Sequence, residues 1–242
     1  MGQDAHMSGL LTYELGDGVA TITIDDGKVN ALSPAMLGEI GTALDRADAD
    51  GAVVLLTGRP GMFSAGFDLR VLGAGGAGAA EMLRAGFELS YRLLSFPAPV
   101  VIACSGHALA MAVFLVLSGD YRLGADGAFR IGANEVAIGL TMPRAAIEVC
   151  RQRLAPAHFH RAVNNAEIYT PAAAVAAGFL DEVVAPEGLA ARARERALAL
   201  GALDRAAHRA TKLRARHGAL EALRAAIGTD DAEVRALMGV TP

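Results

Sequence analysis

The longest stretch without a charged side chain runs from Leu93 to Gly119, 27 residues free of Asp, Glu, Lys and Arg. A run of that length is long enough to cross a bilayer as a helix. Pro97 and Pro99 break its start, Ser105-Gly106-His107 interrupts its middle, and Val100 to Ala103 is short and β-branched. The pattern therefore predicts a buried strand, a turn and a buried helix over Ala108 to Leu117. Both pieces are apolar on every side, so each must be covered all round, as happens at the centre of an α/β core. No membrane span is expected.

The rest of the composition agrees with a folded core. Of 242 residues, 53% are hydrophobic and 20% charged, which excludes a disordered chain, and the length suits one domain with an appendage. A formal net charge of −4 argues against a binder of nucleic-acid backbones, which needs a clustered basic surface. Cys104 and Cys150 are too few for a disulfide framework and sit in apolar contexts, so both read as buried thiols. No basic, apolar and cleavage-site succession opens the sequence, so a cytoplasmic location is expected.

Along the chain, residues 1–9 read as an N-terminal extension, with Met7 as an alternative start. Leu10 to Leu15 and Val19 to Ile24, joined through Gly16-Asp17-Gly18, predict a β-hairpin. Ser33-Pro34 offers an N-cap with proline at the first helical position, and Met36, Leu37, Ile40 and Leu44 form an apolar helical stripe. Val53 to Thr57 is a buried strand. A Gly/Ala loop at 73–78 leads to an amphipathic helix over Ala80 to Leu94, with Met82, Leu83, Phe87 and Leu94 inward. Short strands near Tyr121 to Leu123 and Ala128 to Ile131 precede helices around Ala145 to Arg153, Ala157 to Asn165 and Pro171 to Ala177. From Gly188 to about Ile227 the Ala, Arg and Leu spacing is helical. An α/β core over 10–187 and a C-terminal helical region over 188–242 follow.

Gly73-Ala74-Gly75-Gly76-Ala77-Gly78 matches the dinucleotide fingerprint by letter. It does not follow a buried strand directly, and the next strand ends in Cys104-Ser105 instead of an acid, so it reads as a loop. His158 and His160 are two residues apart and point to different faces of a helix, so they cannot share a metal, and no metal site is read. Three other stretches are richer. Phe63 to Leu69 and Ser105 to Ala112 are small-residue turns that bring backbone N–H groups close to a ligand. Ile131 to Gly139 embeds one carboxylate, Glu135, in an uncharged run, where burial raises the pKa of an acid as general bases require.

Taken with Lys28-Val29-Asn30-Ala31-Leu32, Gly139-Leu140-Thr141-Met142-Pro143 and Ala177 to Val184, these segments resemble the crotonase superfamily of enoyl-CoA hydratases and isomerases, from Leu10 onward. The resemblance implies a spiral of ββα units with a C-terminal helical region, assembled as a homotrimer or a dimer of trimers. It also implies an acyl-CoA thioester as substrate, with no further cofactor. On the same resemblance, the amides of Ala65 and Met111 form an oxyanion hole. Lys28, Val29, Ala31, Gly66, Phe67, Asp68 and Leu69 line the CoA, and Lys212 reaches its phosphates from a neighbouring subunit. Glu135 matches the second catalytic glutamate of the hydratases, whereas Phe114 occupies the position of the first.

One carboxylate cannot divide hydration with a partner, but it suffices for a 1,3 proton shift. Δ3-Δ2 enoyl-CoA isomerisation is therefore the expected activity, with Phe114 favouring the neutral form of Glu135. A weak hydratase with water held by Glu135, and a non-catalytic acyl-CoA carrier in which Met111 and Phe114 fill the reaction space, are the alternatives. His107 and Glu148 carry no assigned role.

Overall fold

The computed structural model describes residues 5–7 and 9–240. In chain order the strands are β1 (Ala5–Met7), β2 (Leu11–Gly16), β3 (Val19–Ile24), β4 (Val53–Gly58), β5 (Gly61–Ser64), β6 (Val100–Cys104), β7 (Gly106–Leu109), β8 (Tyr121–Ala125), β9 (Ile131–Gly132) and β10 (Glu182–Val184). The helices are α1 (Pro34–Ala49), α2 (Leu69–Ala74), α3 (Gly76–Ser95), α4 (Met111–Leu117), α5 (Arg144–Arg151), α6 (Pro156–Val163), α7 (Pro171–Ala177), α8 (Leu189–Gly201) and α9 (Arg205–Leu237). Seven strands form one sheet in the order β1-β2-β3-β4-β6-β8-β10, and β5-β7-β9 form a second.

The expected hairpin is present. Asp17 and Gly18 both take positive φ (51° and 74°), which matches the twist of a two-residue hairpin loop. From β3 onward the large sheet is parallel. Ser33 Oγ accepts from the Met36 N–H at 3.2 Å and Pro34 opens α1, whose buried face carries Met36, Leu37, Ile40 and Leu44. Alternation along the central strands explains the apolarity of the charge-free run. Val100 and Ile102 join Val54 and Leu56 in the core beneath the helices, while Val101 and Ala103 join Val53 and Leu55 against Leu189, Ala193 and Ala197 of α8. No helix among the described residues is long and apolar enough to cross a membrane.

Several local expectations change. Ser105-Gly106-His107 is not a turn: Gly106–Leu109 is a strand, and the helix starts only at Met111. The partners of β7 are the distant β5 and β9, which local pattern cannot reveal. A Cβ on Gly106 would lie 2.0 Å from the Gly61 carbonyl carbon, so glycine is what lets β7 approach β5. Residues 73–78 are not a loop but the junction of α2 and α3, broken at Gly75 and Gly76, both at φ 66°. The fingerprint-like glycines are thus preceded by a helix. Ala5–Met7, within the supposed extension, pairs antiparallel with β2, while residues 1–4 and 8 lie outside the described residues. The second short strand contracts to Ile131–Gly132.

Lys212 is corrected most plainly. Its side chain is buried, and Nζ donates to Asp120 Oδ2 at 2.7 Å and to the Ala98 carbonyl at 3.3 Å, so its charge is spent inside the chain and not on a phosphate. Asp120 also pairs with Arg216 at 2.8 Å and accepts from the Val100 N–H at 2.7 Å, tying α9 to the start of β6. Because one carboxylate serves two cations, removing it leaves both uncompensated. Asp120→Ala is expected to cost about 3–5 kcal/mol in urea denaturation, and Lys212→Met clearly less, since Arg216 still neutralises Asp120.

Candidate active site

The small sheet creates the site. Its three parallel strands are in register at Ser64↔Ala108, Ala108↔Ile131 and Leu109↔Gly132, so their carboxyl ends lie along one edge. Beyond that edge the chain continues as Gly66–Phe67, Ala110–Met111 and Asn134–Glu135. Ligands of α/β sheets bind outside such strand ends. The register thus brings together the three stretches singled out in the sequence.

The 26–32 segment fixes the first of them. Burial works against ionised Asp26, yet the N–H groups of Asn30, Lys28 and Ala31 hold its carboxyl below the usual range. Asn30 is fully buried with φ 52°, and its Nδ2 donates to the carbonyls of Ile24 at 3.0 Å and Phe63 at 3.1 Å. Ser64 Oγ donates to the Asn30 carbonyl at 2.6 Å and accepts from the Gly66 N–H at 3.1 Å. Leu32 N–H closes the clasp on the Gly66 carbonyl at 2.8 Å. Lys28 and Val29 are left exposed beside it and Ala31 is half-buried.

One expected oxyanion donor is wrong. The Ala65 N–H donates to the Val29 carbonyl at 3.0 Å, so it is occupied by the clasp and unable to serve a ligand. Two residues on, the Phe67 N–H donates to no acceptor among the described residues, and neither does the Met111 N–H. These two come close because Gly66 has no side chain: a Cβ there would lie 2.9 Å from the Leu109 carbonyl oxygen and 3.3 Å from Met111 N. The side chains of both donors turn the other way. A Cβ on Gly86 of α3 would meet Phe67 Cζ at 2.5 Å and Met111 Sδ at 3.2 Å, so Gly86 is the socket that accepts both. Gly86 was not legible as a site residue, since its neighbours belong to remote segments.

Ala110 turns the chain from β7 into α4 at φ 51°, ψ −130°, a conformation suited to glycine. Its own N–H donates to Gly132 at 3.2 Å and its carbonyl accepts from Val113 at 2.9 Å, and these bonds hold the turn. One helical turn later Phe114 is buried, its ring centroid 5.9 Å from that of Phe87, which meets Phe67 edge-on at 6.4 Å. The three rings form an apolar wall.

Glu135 lies opposite in chemical character. It is 7% exposed, its Oε2 is buried with no hydrogen-bond partner, and burial pushes its pKa up to about 7, offset only by its own N–H. Cys150 of α5 is close enough that, after burial, the charge of Glu135 further raises its thiol. Asn134 Oδ1 is likewise buried without a partner. The other buried carboxylate among the described residues, Asp68, is engaged: it caps α2 and pairs with Arg70 at 3.0 Å, which holds its carboxyl low. Leu69 beyond it is exposed. His107 accepts the Arg130 N–H at 3.1 Å through Nδ1, a structural contact. The arrangement therefore offers two free amides, an apolar wall and one unpartnered acid.

The strain at residue 110 is measurable. Ala110→Gly is expected to raise stability by about 1 kcal/mol, the release of the disfavoured φ outweighing the entropy gained by the unfolded chain. A lower denaturation midpoint in this variant would contradict that account.

Comparison with known proteins meets this geometry. The family model for enoyl-CoA hydratase/isomerase matches residues 14–237. The chain is 32% identical over 183 residues to enoyl-CoA delta isomerase 1, mitochondrial, of Homo sapiens, covering 74% of this chain and 61% of that protein. It thus spans about three fifths of the length of that relative. Among solved structures, an enoyl-CoA hydratase/isomerase family protein from Pseudomonas syringae superposes with a TM-score of 0.92 at 47% identity, covering 95% of this chain and all of that one. An enoyl-CoA isomerase from Mycobacterium tuberculosis superposes at 0.90 and 48% identity, over 94% of this chain and 100% of its own. The expected crotonase-like spiral is therefore the fold observed, and the chain belongs to the enoyl-CoA hydratase/isomerase family.

Proposed function

We propose that this chain isomerises Δ3-enoyl-CoA to Δ2-enoyl-CoA with Glu135 as its single proton carrier. The observation that carries the reading is the buried carboxyl of Glu135, whose Oε2 has no partner, together with a buried Phe114 where the resemblance puts the hydratases' other acid. Support also comes from the name of the human relative, a delta isomerase, while the Mycobacterium tuberculosis protein carries both an isomerase and a probable hydratase name.

The thioester carbonyl accepts from the Phe67 and Met111 amides, which lowers the energy of the enolate. Losing one such donor typically costs about 2.7–4 kcal/mol of transition-state stabilisation. Ionised Glu135 takes the proton from C2, the electron pair delocalises through C3–C4 and the carbonyl, and the same carboxyl returns the proton at C4. No atom is gained or lost, and the double bond moves into conjugation. A pKa near that of a neutral-pH base suits both halves of the transfer. Lys28, Val29 and Ala31 flank the arm of CoA. Exposed Val136, Ile138 and Leu140, immediately after Glu135, form an apolar rim that the homotrimer or dimer of trimers implied by the resemblance would cover.

Glu135→Gln is expected to lower kcat for Δ3-hexenoyl-CoA roughly 10²–10⁴-fold with little change in KM. Full turnover in this variant would overturn the proposal. In the native protein kcat/KM requires the ionised acid, so it should fall about tenfold per unit below pH 7 and level off above it. Hydration of crotonyl-CoA faster than isomerisation would favour the hydratase reading instead.

A further inference from the structure

Resting on the acyl-CoA reading above, we infer that Gly86 is a positioning residue for the two free amides, which keep their directions only while residue 86 lacks a side chain. Gly86 lies on the buried face of α3, in the middle of a 20-residue helix. Glycine at such a place costs helix stability relative to alanine, which is also small enough for a buried position. A methyl group nevertheless has no room. A Cβ would lie 2.5 and 2.6 Å from Phe67 Cζ and Cε1 and 3.2 Å from Met111 Sδ. Gly78, earlier in the same helix, gives the contrast, because a Cβ there meets nothing within 4 Å.

The two side chains seated at Gly86 cannot easily step aside. Met111 is fully buried. The Phe67 ring meets Phe87 edge-on at 6.4 Å, and Phe87 is in turn packed against buried Phe114 at 5.9 Å. In a close-packed interior, an added atom that side chains cannot absorb is passed on as a backbone shift.

The backbone that receives the shift is the part that carries the donors. The Phe67 N–H belongs to the peptide whose carbonyl, on Gly66, is held by the Leu32 N–H at 2.8 Å. The Met111 N–H belongs to the peptide whose carbonyl, on Ala110, is held by the Val113 N–H at 2.9 Å. Each peptide is therefore pinned at its oxygen, and a push on the following side chain tilts it about that pin and swings the opposite N–H. Both peptides follow residues at positive φ, Gly66 at 94° and Ala110 at 51°, so neither direction is set by an ordinary helix or strand. Hydrogen bonds weaken steeply off axis, so a small tilt is enough to uncouple a donor from a shared carbonyl oxygen. Residue 86 acts on the reaction through residues 67 and 111 and touches no substrate atom itself.

The test reads polarisation of the carbonyl separately from turnover. Hexanoyl-CoA, which has no double bond to move, is isotope-labelled at the thioester carbonyl, and its stretching band is recorded free and bound by difference infrared spectroscopy. Two donated hydrogen bonds lower that band in the native complex. In Gly86→Ala the lowering should shrink by about half or more, since one donor of two is misdirected. For Δ3-hexenoyl-CoA the same variant should lose roughly 10–10²-fold in kcat with KM within about threefold. Gly86→Ala/Phe67→Leu, which removes the overlapping ring atoms, should return the band toward its native position, and Gly78→Ala should leave band and kcat unchanged. If Gly86→Ala does not fold, Gly86→Val compared with Gly86→Ala, both in the Phe67→Leu background, repeats the crowding, and equal bands there overturn the inference. A native band lowering that Gly86→Ala leaves intact, or a loss that Phe67→Leu does not restore, also overturns it while the isomerase reading stands. A band that follows these variants without any turnover supports it and sinks the isomerase reading. A bound native complex with no lowering overturns the inference, and no acyl-CoA binding at all overturns both.

Discussion

The carboxamide of Asn30 is the buried centre of the clasp that joins three pieces of chain. It bonds to the end of β3 and to β5, while the backbone of Asn30 receives the Ser64 hydroxyl. Because the group is wholly buried, each of these bonds forms in a low-dielectric setting where an unpaired polar atom is costly. The clasp therefore has one good arrangement and few poor ones. It sets where β5 ends, which sets Gly66 against Leu109, and that contact brings the amides of residues 67 and 111 to the same edge.

The same clasp explains which parts of the site could be read from sequence. Glu135 stood out because a lone acid in an uncharged run must be buried, and burial alone dictates its raised proton affinity. The 63–69 turn stood out through its small residues. Which of its amides stays free did not, because the Val29 carbonyl that occupies Ala65 belongs to a segment 36 positions earlier, and pairing of that kind is settled only in three dimensions. Gly86 was silent for a related reason: one glycine in a helix looks like a flaw until the ring and the thioether that fill its place are known.

At the level of the fold, the hairpin, the cap of α1 and the buried central strands were legible because local chemistry and tertiary need agree there. Agreement fails at β7. Its four residues follow a strand, contain glycine and histidine, and have turn-like composition, yet parallel pairing on both sides makes them extended. It fails again at 73–78, where glycine-rich sequence becomes two helices because Ala79 and Ala80 are small enough to be buried completely at the start of α3. Lys212 was misplaced by analogy, since a cation that meets an internal carboxylate during folding has no charge to spare for a ligand.

The two free amides belong to the main chain, and their side chains point away into the socket at Gly86. Substitution at positions 67, 111 and 114 therefore alters the shape and polarity of the wall while leaving both N–H vectors in place. Heritable change in the rings along this edge is in this way uncoupled from the direction of the two main-chain donors, and a lineage built on this scaffold can vary the one while keeping the other.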